Sequence, residues 1–308
     1  MRWIKPVGAL VATLMLSVPA AADWRSDLKV LRVGIVAPLG AARDTARIEP
    51  FRAYLETRLG LPVEIVATAT YSALIDAQAS ARVQYAIHSA SSFVTTSVSC
   101  ACVEPLALPA AIGGARGFRA LLVARSDGPL RSLGDAKGKR LALSGGDSVA
   151  GRLVPLKGLA RQGIDAQTYF STVLTAEDPE DAVTMLFTGE ADLAVAWSSL
   201  EGTAASGYSF GSLARMVSAG TLAMDQIRVV WQSPLIPFGP HAIRRDLPSD
   251  AKALLGGALA AMATEAPDAL DAVDGRSIGG GGFVPVDAAA YAVIEELVKA
   301  DPAKAQGG

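Results

Sequence analysis

The sequence predicts an α/β protein made of two domains, each a largely parallel sheet covered by helices. Three observations carry that reading. Apolar runs of strand length alternate with segments whose apolar residues recur at helical spacing. The alternation comes in two series, the second following GFRALLVARSDGP. A chain of 308 residues with 51% hydrophobic content can bury a core in each of two domains.

KVLRVGIVAP is a continuous apolar run bounded by Pro38, as expected of a parallel strand covered on both faces. ARIEPFRAYLETRLG then sets Ile48, Phe51, Leu55 and Leu59 on one helical face and stops at Gly60. PVEIVA reads as the next strand and YSALIDAQASA as the next helix. QYAIHS and VEPLALP read as short strands separated by the serine-rich SASSFVTTSVS. In the second series KRLALS, YFSTVLT and ADLAVAW are strands, and AGRLVPLKGLARQG and PEDAVTMLFTG are helices. RVVWQSPLIPFGPHAIRRDLP breaks the alternation with two strand-like pieces around a proline-rich bend. Two amphipathic helices follow, SDAKALLGGALAAMATEA and DAAAYAVIEELVKA, with the loop-like run Gly279 to Gly282 between them. This ending lets the chain return to the first domain and complete it.

The first residues, MRWIKPVGALVATLMLSVPAAADW, have the layout of a secretory signal peptide cut after Ala22: Arg2 and Lys5, an apolar run from Val7 to Val18, then small residues. The run is too short to span about 30 Å of hydrocarbon. Losing Arg2 and Lys5 with this leader takes the formal net charge from −2 to −4. A mildly acidic surface without charge clusters argues against nucleic acid or an anionic membrane as partner. Cys100 and Cys102, one residue apart, would close a tight ring, so buried free thiols are expected there rather than a disulfide. Two thiols and two distant histidines make no metal centre.

Nine segments in register then carry a resemblance: LRVGIVAP, YSALIDAQ, SASSF, GFRALLVARSD, LGDAKGKRLALS, SVAGRLVP, GEADLAVAW, RVVWQSPLIPFGPHAIRRDLP and GFVPVDAAAY, covering most of the chain from Leu31 to Leu297. Together they resemble the periplasmic binding proteins of phosphate, phosphite and phosphonate ABC importers. The resemblance implies a two-lobed type II periplasmic binding fold that closes over its ligand on two hinge crossings. The expected boundaries are a discontinuous first lobe over residues 28–118 and 240–300, a second lobe over 125–228, and hinge segments over 119–124 and 229–239. It further implies a monomer in the periplasm that presents a small anionic ligand to an ABC permease in the inner membrane.

In open α/β sheets, ligands sit beyond the carboxyl ends of strands, where helix N-termini offer unpaired N–H groups to an anion. Tyr71, the stretch His88 to Phe93 with Ser89, Ser91 and Ser92, and the stretch Ser148 to Gly151 hold such positions. The resemblance implies that the loop before LVP reads S-T-S-G and holds phosphoryl oxygens. Here Ser148, Val149, Ala150 and Gly151 stand there, keeping one hydroxyl and losing two. Phe93 stands where a tyrosine would follow Ser92. Of a serine, histidine and acid set at a later helix, only the acid remains, as Glu180 after Asp178 and Pro179. In aminophosphonate binders that acid answers a ligand ammonium. Arg152 and Trp197 flank the second lobe's loops, and an arginine can replace two hydroxyls as a charge-assisted partner of an oxyanion.

Bland readings stand beside these: Arg152 projecting into solvent, Trp197 in the core, Glu180 as a first-turn helix acid, and His88 as a satisfied histidine at a lobe surface. No nucleophile–base–acid motif, paired carboxylates or cofactor motif is present, which weighs against an enzyme. The expected function is a solute-binding protein for a phosphonate-like oxyanion. The alternatives are a ligand sensor for a membrane receptor, or a binder of a non-phosphorus organic anion.

Overall fold

In the computed structural model, residues 23–146, 148–275 and 280–300 are described. The leader expected over residues 1–22, and Gly279 of the glycine run, lie outside the described residues.

The chain begins with α1 (Trp24–Leu28), β1 (Leu31–Val36), α2 (Ala41–Arg47), α3 (Glu49–Leu59), β2 (Val63–Thr68), α4 (Tyr71–Ala79), β3 (Tyr85–Ile87), α5 (Ala90–Cys100) and β4 (Val103–Pro109). The middle holds β5 (Gly117–Arg125), β6 (Arg140–Ser144), α6 (Val154–Arg161), α7 (Ala166–Tyr169), β7 (Thr172–Ala176), α8 (Pro179–Thr188), β8 (Leu193–Ser198), α9 (Ser212–Ser218), β9 (Ile227–Gln232) and β10 (Ile236–Pro237). It returns through β11 (His241–Arg244), α10 (Ser249–Glu265), α11 (Pro267–Leu270), β12 (Phe283–Val284) and α12 (Ala292–Ala300).

Two sheets result, ordered β12-β4-β11-β3-β1-β2 and β10-β5-β8-β6-β7, with β9 also paired to β5. In the first, β1 runs parallel to β2 and β3, and β11 runs antiparallel to β3 and β4. In the second, β6 runs parallel to β7 and β8, while β5 is antiparallel to β8, β9 and β10. All of β5 and β9 therefore belongs to the second sheet. The chain passes between the sheets at residues 110–116 and 238–240, the first just before the expected hinge segment 119–124 and the second overlapping the end of 229–239. Within β5, Leu121, Leu122 and Val123 are paired on both sides, to β8 and to β9.

The topology locates the cleft. The first crossing leaves the carboxyl end of β4 and enters the amino end of β5, which the antiparallel register sets beside the carboxyl end of β8. The second leaves β10 at that same edge and enters β11, whose His241 pairs with Ile87 at the carboxyl end of β3. Both crossings thus join the carboxyl edges of the two sheets. The backbones pass closely there: a Cβ at Gly239 would lie 1.9 Å from the His88 carbonyl oxygen, and the His88 N–H donates to Pro240 O at 3.1 Å. Only glycine fits such an approach.

Local packing follows the sequence pattern in most places. Ile48, Phe51, Leu55 and Leu59 are all buried, and Gly60 ends α3 in the left-handed region at φ 60°. Two segments differ. SASSFVTTSVS is helix α5, because Ser89 and Ser92 form a capping box and Phe93 and Val94 supply a buried face. The start of YFSTVLT belongs to the end of α7 and the turn after it, with β7 confined to Thr172–Ala176. At the end of α5, Cys100 and Cys102 are half-buried and disulfide-bonded, which corrects the expectation of free thiols. The left-handed Ala101 between them (φ 51°) turns the chain so that the two Cα atoms stand 5.0 Å apart, within bridging range. α12 packs on α5 and also reaches α6, where Arg161 and Glu296 form an ion pair.

Candidate ligand-binding site

On the second lobe, β6 ends at Ser144 and the chain turns at Gly145 and Gly146 into a π-helical turn over Val149–Leu153, which continues as α6. Ser148 is its N-cap, with its hydroxyl accepting from Gly151 N at 3.1 Å. The amides of Val149 and Ala150 open this turn and so lack acceptors within it. Gly151 is buried because the turn is folded tightly on the strand end. A Cβ there would lie 2.4 Å from Ser144 Oγ and 2.7 Å from Ser148 Oγ. The turn widens to i→i+5 bonds, with Leu153 N donating to Ser148 O at 3.0 Å. Such π turns recur at functional sites.

Arg152 folds back over the sheet edge instead of pointing away. Its Nη1 donates to Ser144 O at 3.1 Å and to Thr175 Oγ1 at 3.4 Å, which sets the guanidinium at the carboxyl ends of β6 and β7. Its remaining donors have no acceptor among the described residues. The same edge carries Trp197, near the end of β8 and half-buried, and Glu180, in the first turn of α8. These two are joined by Arg215 of α9: its Nε donates to Glu180 Oε1 at 2.7 Å, and its guanidinium carbon lies 4.8 Å from the Trp197 ring centroid. Phe118 and Phe210 flank Trp197 with ring centroids at 5.0 and 5.3 Å.

On the first lobe, Tyr71 opens α4 after β2. It lines a recess of about 520 Å³ with Pro38, Asp44, Arg47 and Asp274. Burial pushes the Tyr71 phenol up, and the Ser89 hydroxyl beside it acts in the opposite direction. Arg47 is anchored there by Asp44 at 3.5 Å and by donation to Ala272 O at 2.6 Å.

The polar cluster after β3 is turned on itself. His88 is 4% exposed, with Nδ1 3.0 Å from Ser92 Oγ and Nε2 2.7 Å from Gln78 Oε1. Burial lowers its pKa to about 3, so the ring is neutral. Ser92 N donates to Ser89 Oγ at 3.1 Å, and Ser89 N to Ser92 Oγ at 2.9 Å. Ser91 is buried, 3.2 Å from Ser89 across their hydroxyls. Tyr71 and Ser89 are thus the half-buried members of the first-lobe set, while His88, Ser91 and Ser92 are buried.

The structure brings the sequence-derived residues into two groups, Ser148 to Arg152 with Trp197 and Glu180 on one lobe, and Tyr71 with His88 to Ser92 on the other. Sequence reasoning missed Arg47, Thr175 and Arg215. Thr175 could have been found at the end of its strand. Nothing local marks Arg215, which meets Glu180 across a separation of 35 residues.

Comparison with known proteins accords with this layout. A family model described as ABC transporter, phosphonate, periplasmic substrate-binding protein matches residues 33–291. The phosphonates-binding periplasmic protein of Escherichia coli K12 is 26% identical over 258 residues, covering 80% of this chain and 71% of that one. A Xanthomonas citri protein solved bound to ATP shares the fold with a TM-score of 0.60 at 20% identity, over 90% of this chain and 97% of that one. A Prochlorococcus marinus protein solved in complex with methylphosphonate does so with a TM-score of 0.52 at 16% identity, over 88% and 98%. With two α/β lobes whose carboxyl edges meet at the crossings, and a family match over most of its length, the chain belongs to the periplasmic substrate-binding proteins of phosphonate ABC transporters.

Proposed function

We propose that this protein closes its lobes over a small organic oxyanion of the phosphonate type and presents it to an inner-membrane ABC permease. The oxyanion is held on the second lobe by the amides of Val149 and Ala150, the Ser148 hydroxyl and the Arg152 guanidinium. Tyr71 and Ser89 meet it from the first lobe, positioned by His88, Ser91 and Ser92. The observation that carries this reading is Arg152, whose Nη1 lies 3.1 Å from Ser144 O beside the N-capped turn. A guanidinium held at that edge restores donors where Val149 and Ala150 have no hydroxyl, and charge-assisted donors are roughly twice as strong as neutral ones.

Binding rather than chemistry is the activity. The mature chain, cut near Ala22, acts as a monomer in the periplasm. The test is thermal stabilisation of the mature protein by alkylphosphonates, phosphite, phosphate, sulfonates and dicarboxylates, with Ser148→Ala as control. A concentration-dependent rise with a phosphonate, reduced by Ser148→Ala, supports the reading. A rise with dicarboxylates alone contradicts it.

A further inference from the structure

Two guanidinium nitrogens of Arg215 converge on Glu180 Oε1, one of them at 2.7 Å, and the same guanidinium lies over the Trp197 ring at 4.8 Å. Glu180 stands in the first turn of α8, just past the carboxyl end of β7, and Trp197 is the penultimate residue of β8. The assembly therefore occupies the edge that carries Ser148 and Arg152. A carboxylate at that edge would attract a cationic group on a ligand. Arg215 already supplies the opposite charge, and Trp197, with Phe118 at 5.0 Å and Phe210 at 5.3 Å, adds half-buried aromatic surface.

We propose that Arg215 is the specificity-determining residue of this cleft: by neutralising Glu180 against the Trp197 ring, it makes the second lobe a subsite for an uncharged alkyl or aryl group and turns away ligands with an ammonium group. The inference rests on the oxyanion site described above. The ligand class is an organic oxyanion whose other end carries no positive charge. Arg215 acts through Glu180, so it is a positioning residue. Its removal exposes a carboxylate to the ligand and does not delete a donor to the oxyanion.

The experiment titrates mature protein with matched pairs that differ by an ammonium: ethylphosphonate against 2-aminoethylphosphonate, ethanesulfonate against taurine, and propionate against β-alanine. Within whichever pair binds, wild type is expected to favour the uncharged member by roughly tenfold. Arg215→Ala is expected to narrow or invert that ratio, and Glu180→Gln added to Arg215→Ala to cancel the change. A merely structural role would lower both members together and leave the ratio in place. An unchanged ratio in Arg215→Ala, or a wild-type preference for the ammonium member, overturns the proposal while leaving the oxyanion site standing. Binding of the sulfonate pair alone, with the expected ratios, removes the phosphonate reading and sustains this one. No binding in any pair overturns both.

Discussion

Ser148 and Arg152 support the same turn by different physics, and their substitutions separate. Ser148→Ala removes the cap on Gly151 N and is expected to cost about 1 kcal/mol of stability in urea unfolding, alongside weaker anion binding. Arg152→Met keeps the aliphatic stem and is expected to weaken phosphonate binding ten- to a hundredfold, with a smaller change in stability. Gly151→Ala would force a methyl against Ser144 Oγ and Ser148 Oγ, so about 1–3 kcal/mol of destabilisation is expected in the same assay. The buried histidines predict a pH dependence. Burial lowers both His88 and His241 to about 3 in the folded protein, against about 6.5 unfolded. Their contribution to stability is therefore complete above pH 6.5 and is lost as pH falls toward 3. The loss is about 1.4 kcal/mol per pH unit for each ring. Unfolding midpoints at pH 7, 6 and 5 should fall in sequence, and a flat profile would contradict the burial of the two rings. At this scale the Ser148 turn was legible because helix starts after strands leave a local signature. The Gln78 partner of His88 was not, since it reaches across from α4.

α5 shows where element boundaries escape the sequence. Serines and threonines are weak helix formers, so a run of them reads as a connector. In the fold the same hydroxyls are used locally: Ser89 and Ser92 cap one end, and Thr96 Oγ1 donates back to Ser92 O at 2.8 Å. β1 and β6 were legible as apolar runs of strand length, and α3 and α8 from helical periodicity with a glycine stop at Gly60 and Gly189. The disulfide was not, because pairing depended on the left-handed Ala101. It closes the carboxyl end of α5, about 15 Å from the amino end that faces the cleft. So short a loop constrains the unfolded chain little, so reduction is expected to cost about 1–2 kcal/mol of stability and to leave ligand affinity unchanged. Calorimetry with and without reductant checks both, and a loss of affinity on reduction would tie α5 to the site as a rigid unit.

At the scale of the whole molecule, two crossings at residues 110–116 and 238–240 join edges that, in the proposed function, each bring part of a ligand cage. Neither lobe alone surrounds an anion, so affinity depends on the lobes closing. The two-lobed plan was legible in the doubled alternation, whereas the pairing of β5 with β8, β9 and β10 was not, because its partners come from distant stretches of the chain. α12 spans α5 and α6 through the Arg161–Glu296 pair, so in the proposed closure this helix keeps or exchanges contacts with both lobes. The central claim is that the Ser148–Arg152 turn holds the oxyanion. Titration calorimetry of the mature protein with ethylphosphonate, for wild type, Ser148→Ala and Arg152→Met, tests it most directly. The account predicts saturable one-to-one binding to wild type that is weakened in both variants, most in Arg152→Met. Equal affinities across the three proteins would contradict it.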